Sequence, residues 1–257
     1  MSDRRNIKLL LAFDGTNYAG WQKQKTAKTI QGIIEDKIRV MTSEQVCLHG
    51  SGRTDAGVHA LGMVANFQTS SDIPCQGFLK GINSMLPLDI RLLHVTDADP
   101  DFHARRSARA KTYQYHITTG PVQMPTARLY AAHVFEELDV KAMEQGLLEL
   151  VGTHDFSSFE AAGSRDPKVE TGRGAVRTLF EADCRKGPIL DRLIFTFTGD
   201  GFLRHMVRNM VGTILAVGKG RIPPEALFEI LASKDRGSAG PTAPPQGLIL
   251  QKVHYKQ

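Results

Sequence analysis

Cysteine is scarce in this chain. The three cysteines, Cys47, Cys75 and Cys184, are widely spaced and odd in number, and no two form a CxxC pair. Zinc sites and redox motifs built on paired cysteines are therefore excluded. We expect three buried thiols in a protein of a reducing compartment.

Long hydrophobic runs are also missing. The longest apolar stretch beyond the N-terminal region, residues 210–218, is far shorter than the roughly 18 residues that suggest a membrane span. Residues 7–13 are apolar, but Lys8 interrupts the run and Asp14 closes it, which favours a β-strand over a signal peptide. We therefore expect a cytoplasmic protein that has no membrane contact.

The composition has no strong bias. Of 257 residues, 41% are hydrophobic and 23% are charged, which is typical of soluble globular proteins and excludes disordered and fibrous classes. Lys and Arg number 32 against 27 Asp and Glu, so the net charge is +5. This excess indicates a modest preference for a polyanionic partner and does not identify one.

Several well-known catalytic motifs are absent. Residues 52–57 have the GxxxxG spacing of a P-loop, but Val58 and His59 stand where the phosphate-binding Lys and the Ser or Thr belong. A third glycine for a dinucleotide fingerprint is missing after Gly52, and HExxH, GxSxG and zinc-deaminase patterns do not occur. The nine histidines lack ligand spacing, so we expect no metal site, although four of them could meet in space: His49, His59, His103 and His205.

Hydrophobic periodicity predicts the order β-α-β-β-α-β in the first half of the chain. The predicted strands cover residues 7–13, 46–49, 58–68 and 90–95. Thr29 is expected to cap the first helix, and Pro74 to open a second helix that ends near Met85. The inward-facing helix positions are Ile30, Ile33, Ile34, Ile38 and Met41 in the first helix, and Phe78, Leu79, Ile82 and Met85 in the second.

The second half repeats this order. Strands are predicted at residues 110–118, 176–184, 189–198 and 247–255, and helices at 140–151, 202–217 and, as an addition, 223–233. Asp139 is expected to cap the helix that starts at Val140. The polar, glycine-rich segment 160–174 is either a functional or a mobile loop.

Both halves fit a ferredoxin-like or RRM-like motif. We therefore predict an α+β fold whose mostly antiparallel mixed sheet carries helices packed on it. A boundary near residues 102–109 gives two domains, 1–105 and 106–257. The RNA-binding sequence signature of an RRM is missing from the strands, which weakens a plain RRM interpretation.

The densest cluster of chemically suggestive residues is 50–60. Gly50, Gly52 and Gly57 allow a sharp turn and a close approach to a ligand, and Asp55 sits between two predicted strands with Arg53 beside it. Such a carboxylate can be presented to a substrate. The alternative is an Asx-turn with an exposed arginine.

Two further clusters combine basic and apolar side chains. Basic residues Arg105, Arg106, Arg109 and Lys111 precede a strand that carries Tyr113 and Tyr115. Cations neutralise phosphates and rings stack on unpaired bases, so this cluster suits nucleic acid, although both tyrosines also fit a core. At residues 201–212, Arg204 and Arg208 are predicted one turn apart on one helix face, where Arg208 could keep a nearby aspartate ionised or simply face solvent.

Residues 52–60 resemble the catalytic motif of the tRNA pseudouridine synthase A family. Nearly the whole chain is similar to that family in the order and spacing of its motifs. The supporting segments are residues 13–22 with Gln24, 29–31, 102–105, 111–115, 202–209 and 243–248. Segment 160–174 is less similar.

The resemblance implies a pseudouridine synthase fold and a cofactor-independent enzyme that isomerises uridine in the anticodon stem-loop of tRNA, at positions 38, 39 and 40. It implies that Asp55 is the nucleophile, that Arg208 pairs with its carboxylate and that Arg53 helps to hold the nucleotide out of its stack. It also implies that Tyr113 packs against the target uracil and that the protein is a homodimer with tRNA spanning both subunits. We further expect Arg105, Lys111 and Arg204 to bind tRNA phosphates.

Two other functions stay open at this point. A non-catalytic RNA-binding protein made of two RRM-like halves would not need Asp55. A nuclease or hydrolase that uses scattered Asp and His residues would depend on a metal. Whether Asp55 attacks the ribose, attacks the base or promotes elimination is also open.

Overall fold

The chain folds into two compact units. The structure is a computed structural model that describes residues 4–164, 173–188 and 192–256. Unit 1 consists of Met1–Arg109 with Ile249–Gln257, and unit 2 consists of Ala110–Leu248.

The helices and strands follow one another along the chain. The first part contains β1 (Arg5–Phe13), α1 (Ile30–Thr42), β2 (His49–Gly50), β3 (His59–Thr69), α2 (Cys75–Met85) and β4 (Ile90–Ala98). The next part contains β5 (Ala110–Thr119), β6 (Ala132–Val134), α3 (Val140–Leu148), β7 (Gly152–Asp155), β8 (Val176–Lys186), β9 (Arg192–Gly199), α4 (Met206–Gly218) and α5 (Ala226–Ser233). The last strand is β10 (Leu248–His254).

Unit 1 is built around β1, which pairs antiparallel with β3 on one side and β4 on the other. Ile7, Leu9 and Leu11 alternate along β1 and are fully buried, because successive side chains of a strand point to opposite faces. Helix α2 packs on β4. The rings of Phe67 on β3 and Phe78 on α2 meet edge to face, with centroids 5.7 Å apart.

The predicted element order of unit 1 is confirmed, with one correction. The strand expected at residues 46–49 is reduced to the pair His49–Gly50. Side chains of α1 satisfy the backbone just before this pair: Glu35 accepts from the Leu48 N–H at 3.1 Å, and Gln31 donates to the Leu48 carbonyl at 3.1 Å. Because the N–H and the carbonyl of Leu48 are both hydrogen-bonded to side chains, Leu48 does not pair with a neighbouring strand.

Unit 2 contains the strand order β5-β9-β8-β7, and every pair in it is antiparallel. Strand β6 adds a short parallel pairing to β5. Phe195 and Phe197 alternate along β9 opposite Tyr115 and Tyr113 of β5, and all four side chains are buried. Helix α3 packs against β8 and α4. The α+β class with a mostly antiparallel sheet is thereby confirmed.

Several predictions for unit 2 need correction. Strands β6 and β7 were not expected, and α3 ends at Leu148 because a turn leads to Gly152, whose φ is +119°. Helix α4 starts at Met206 instead of residue 202. His205 has a left-handed φ of +61°, and a residue in this conformation cannot be part of a right-handed helix. Residues 165–172 of the segment 160–174, and residues 189–191 of the expected strand 189–198, lie outside the described residues.

The closing strand was expected to belong to the second half, but residues 249–257 group with unit 1. The reason is pairing: Ile249 and Leu250 of β10 lie parallel to His59 and Ala60 of β3. The division of the chain into two domains, residues 1–105 and 106–257, stays a prediction.

The expectation of three buried thiols is correct only for Cys184. Cys47 is exposed in the non-strand segment before His49, and the half-buried Cys75 donates to Asp97 at 3.3 Å. Burial raises the pKa of the Cys184 thiol to about 12, with nearby carboxylates adding to the effect. Across the described parts of the chain, no helix has the length and apolar character needed to cross a membrane.

Candidate active site

Asp55 lies in a tight turn between β2 and β3 of unit 1 and is half-buried. Its carbonyl oxygen accepts a hydrogen bond from the Val58 backbone N–H at 3.2 Å, which closes the turn. Gly57 has a φ of +77°, a conformation that side-chain-bearing residues rarely adopt. The backbone at Asp55 is therefore held in a fixed turn, and the presentation of its carboxylate to a substrate stays a prediction.

The segment 13–22, which we call the supporting loop, packs against this turn. The Trp21 N–H donates to the Thr54 carbonyl at 3.1 Å, and the Gly57 N–H donates to the Tyr18 carbonyl at 3.4 Å. A Cβ at Gly20 would lie 2.4 Å from the Thr54 oxygen. The supporting loop thus approaches the backbone on both sides of Asp55 so closely that Gly20 cannot carry a side chain.

His59 anchors the supporting loop to the start of β3. Its imidazole is 4% exposed, and its Nδ1 accepts from the Gly15 N–H at 3.1 Å. The same nitrogen lies 3.1 Å from Oδ1 of Asp14. The structure assigns His59 to this anchor, next to the turn.

Arg53 is exposed at the turn and is connected to the interior by a chain of side chains. Its Nε donates to Gln22 Oε1 at 3.2 Å, and Gln22 Nε2 donates to Gln31 Oε1 at 2.9 Å. Gln31 Nε2 then donates to Glu35 Oε1 at 3.0 Å. Lys23 Nζ, 3.0 Å from Glu35 Oε2, balances the charge of that buried carboxylate. We call these four side chains, Arg53, Gln22, Gln31 and Glu35, the Arg53 relay.

Arg105 lies near the opposite end of the unit 1 sheet. The backbone N–H of its neighbour Ala104 donates to Asn66 Oδ1 at 2.9 Å. Asn66 is seven residues beyond His59 along β3, which at about 3.3 Å per residue is roughly 23 Å from the end that carries the Asp55 turn. Arg105 is thus placed next to Asn66, and its contact with tRNA stays a prediction.

Tyr113 and Lys111 lie on β5 of unit 2, two residues apart and hence on the same face. The Tyr113 ring is 7% exposed and meets the Phe202 ring edge to face, with centroids 5.0 Å apart. Lys111 is half-buried and pairs in register with Gly199. The aromatic face of β5 is thus continued by Phe202 from the turn before α4.

Arg208 joins two of the segments that resemble the family. Its Nε donates to the Ala243 carbonyl at 2.7 Å, and its own carbonyl accepts from the Ala243 N–H at 3.0 Å. The Tyr115 hydroxyl donates to the Pro244 carbonyl at 2.7 Å. Burial raises the pKa of Tyr115 above its usual range, and the Arg208 charge opposes this rise. Tyr115 is therefore a neutral core donor.

The expected pairing of Arg204 and Arg208 on one helix face is wrong. Arg204 is exposed in the turn that precedes α4, and its carbonyl accepts from the Ala161 N–H at 2.9 Å. Because α4 starts only at Met206, the two arginines do not share a helical turn.

Metal ligands do not cluster in the described residues: no group of three or more His, Cys, Asp or Glu side chains is placed to hold an ion. Of the four histidines considered above, His49 and His103 do lie together, with ring centroids 4.8 Å apart.

Comparison with known proteins identifies the family. A family model described as tRNA pseudouridine synthase matches residues 10–105 and 147–256, which include the Asp55 turn, α4 and the segment at Ala243. The chain therefore belongs to the tRNA pseudouridine synthase family, a family of isomerases.

Relatives bearing the name tRNA pseudouridine synthase A align over nearly the full length. The chain is 51% identical over 251 residues to tRNA pseudouridine synthase A 1 of Desulfotalea psychrophila, covering 98% of this chain and 100% of that protein. It is 45% identical over 251 residues to tRNA pseudouridine synthase A of Lacticaseibacillus casei, covering 97% and 99%. For the Myxococcus xanthus protein of that name, the identity is 40% over 250 residues, covering 97% and 92%.

The inner members of the Arg53 relay were not predicted from the sequence. Gln31 and Glu35 are four residues apart on α1 and buried beside Ile34 and Ile38. Two polar residues at helical spacing next to an apolar stripe are a signal for a buried polar network, since such groups need partners.

Proposed function

We propose that this chain isomerises uridine to pseudouridine in the anticodon stem-loop of tRNA, at positions 38, 39 and 40, and that Asp55 is its catalytic nucleophile. One observation carries the proposal: a half-buried carboxylate stands on a turn whose backbone is held by the supporting loop. The turn falls within the residues that match the family model.

The reaction breaks the N1–C1′ glycosidic bond, forms a C5–C1′ bond, releases the C5 proton and adds a proton to N1. Substrate and product have the same composition, so the exchange needs no net oxidation or reduction. A positioned nucleophile and a pocket that retains the detached uracil are sufficient. Asp55 can fill the first role either by attacking the ribose or the base, or by promoting elimination at the sugar.

The target base must leave its stack before Asp55 can reach it, which costs about a few kcal/mol. We propose that Arg53 helps to hold the extruded nucleotide and that Tyr113 packs against the uracil. From the resemblance to the family, we also propose that Arg208 pairs with the Asp55 carboxylate during the reaction. Lys111 and Arg204 contribute phosphate contacts, which implies that tRNA binding weakens steeply with salt.

The protein is further proposed to act as a homodimer in the cytoplasm. The basis for both statements is the resemblance of the chain to its family. The oligomeric state is measured by sedimentation, with and without tRNA.

The central experiment measures tritium release from 5-tritiated uridine in tRNA and in an isolated anticodon stem-loop. The wild-type chain is compared with Asp55→Asn and with Asp72→Asn, which removes an exposed aspartate elsewhere in unit 1. We expect release by the wild type and by Asp72→Asn, and none by Asp55→Asn.

Two results would overturn the proposal. Full tritium release by Asp55→Asn would remove the assigned role and favour an RNA-binding protein without chemistry at Asp55. RNA cleavage that disappears in excess chelator would point to a metal-dependent nuclease.

A further inference from the structure

A polar cleft of about 520 Å³ lies in unit 1, lined by residues around β2 and by Asn66 and Gln68 of β3. Its volume is in the range of small-ligand sites. Its lining includes Arg4, His49, Asn66, Asp101, His103 and Arg106. None of them belongs to the site described above.

Two buried asparagines hold one wall of this cleft. Asn66 is 3% exposed, donates to Asn6 Oδ1 at 2.9 Å and accepts from the Ala104 N–H at 2.9 Å. Asn6, also 3% exposed, donates to the carbonyls of Asp99 and Phe102 at 2.7 and 2.9 Å. The turn that carries His103 and Arg106 is therefore fixed before any ligand arrives, which lowers the ordering cost of binding.

His103 is among the residues that line the cleft. Its Nδ1 accepts from the backbone N–H groups of Arg105 and Arg106, at 3.1 and 3.4 Å, so the proton of the neutral ring is on Nε2. Burial, followed by the nearby His49 and Arg106, lowers the pKa of His103. The His49 ring lies against it at 4.8 Å with an interplanar angle of 30°.

The charged side chains that line the cleft favour the binding of an anion. Arg4 and Arg106 are both exposed, and among the described residues that line the cleft Asp101 is the one with an acidic side chain. Guanidinium groups have five donors and no acceptor, and they match the geometry of a phosphate. Two guanidinium groups and an imidazole N–H, placed around one polar cleft, suit the phosphodiester backbone of RNA.

We propose that this cleft binds backbone phosphates of the substrate tRNA at a place separate from the target uridine. The inference rests on the proposed function, because it takes tRNA as the ligand. About 23 Å of β3 separates Asn66 from His59, the residue that follows the Asp55 turn. Phosphates in the cleft thus belong to nucleotides well away from the one that reacts, and contacts there fix the register of the RNA without reading its sequence.

The test measures tRNA binding by the full chain at several salt concentrations, for wild type, Arg4→Gln, Arg106→Gln and the double variant. Both arginines are exposed, so these changes leave the fold intact. Lys80→Gln, which removes one positive charge from an exposed position on α2, is the matched control. Pseudouridine formation is measured on the same preparations.

We expect each arginine substitution to weaken tRNA binding about fivefold to tenfold and to reduce the salt slope by about one, and the double variant to reduce it by about two. The arginine variants should show a raised KM for tRNA, while Lys80→Gln should leave the tRNA affinity and its salt dependence unchanged. If the wild-type protein forms pseudouridine and the arginine variants bind tRNA with an unchanged salt dependence, the cleft proposal is overturned and the proposed function is not. The cleft proposal is also overturned if Lys80→Gln weakens tRNA binding as much as the arginine substitutions do. A wild type that forms no pseudouridine instead refutes the proposed function.

Discussion

Arg53 and Gln22 are joined by a hydrogen bond of 3.2 Å between Nε and Oε1, which ties the exposed arginine of the Asp55 turn to the supporting loop. Gln22 is in turn held by Gln31 at 2.9 Å. The guanidinium is thus restrained in orientation before RNA binds. A restrained group loses less entropy on binding, so the relay makes Gln22 a positioning residue for Arg53.

A double-mutant cycle tests this relationship. Gln22→Ala and Arg53→Ala should each lower the rate of pseudouridine formation, but Gln22→Ala should have no further effect once Arg53 is absent. The expected coupling is about 1 kcal/mol. Gln24→Ala, which removes a bond to the Ala19 carbonyl in the same region, should add independently to Arg53→Ala. Fully additive losses for Gln22 and Arg53 would contradict the relay.

Gly20→Ala should disable the Asp55 turn. Gly20 has a φ of +90°, and its new Cβ would lie 2.4 Å from the Thr54 carbonyl oxygen. We expect a loss of about 2–4 kcal/mol in the free energy of unfolding, from backbone strain and overpacking combined, measured by urea denaturation. Activity should fall even at temperatures where the variant is folded.

Gly220→Ala is the control for that experiment. Gly220 has a φ of +66°, and nothing lies within 4 Å of the position of its Cβ. This variant carries the conformational strain without the clash, so it should lose only about 1–2 kcal/mol and keep its activity. Equal effects of the two substitutions would show that contact with the turn is unimportant.

Tyr113→Ala should reduce turnover more than tRNA affinity, because packing against the extruded uracil forms late in the reaction. The ring is 7% exposed and packed against Phe202, so the substitution also lowers stability by about 3–5 kcal/mol. Urea denaturation must therefore confirm that the assayed protein is folded. Tyr113→Phe keeps the ring and should retain most of the turnover. Equal losses in turnover and affinity for Tyr113→Ala would argue for a purely structural ring.

His103 should make the protein less stable in mild acid. Burial, then His49 and the arginines at 105 and 106, lower its pKa from the ordinary 6.5 in the folded state. As the pH falls through about 6.5, the unfolded chain takes up the proton first, so stability decreases until the folded pKa is also passed.

His103→Gln should flatten this part of the profile. The check is urea unfolding of wild type and variant between about pH 7.5 and pH 5, a window that spans the usual pKa of histidine. His94→Gln, at an exposed position on β4, controls for the loss of a histidine as such. If the free energy of unfolding of His103→Gln fell with decreasing pH as steeply as that of the wild type, the lowered pKa of His103 would be contradicted.

Local patterns in the sequence are sufficient for much of unit 1. Apolar residues at helical spacing predict α1 and α2, alternation predicts β1 and β3, and glycines around Asp55 predict a turn. Each of these signals arises from residues within about one helical or strand repeat of each other, so no knowledge of distant neighbours is needed.

Local patterns are less informative where contacts between distant residues, or a single unusual backbone conformation, decide the structure. The segment before His49 is not a strand because side chains of α1 take its backbone hydrogen bonds. Helix α4 begins late because of a left-handed residue, His205, whose conformation no local periodicity indicates. Strand β10 joins unit 1 because it pairs with β3, almost two hundred residues earlier in the chain.

The sequence alone therefore determined the α+β class, the family resemblance and the presence of a glycine-flanked Asp55, since these depend on residue types and their spacing. The tertiary structure decided that the supporting loop holds the Asp55 turn, that Gln31 and Glu35 stand behind Arg53, and that Arg105 belongs to the far end of the sheet. Each outcome includes a hydrogen bond between segments far apart in the chain, from Trp21 to Thr54, from Arg53 to Gln22 and from Ala104 to Asn66, and these partners are defined only in the folded protein.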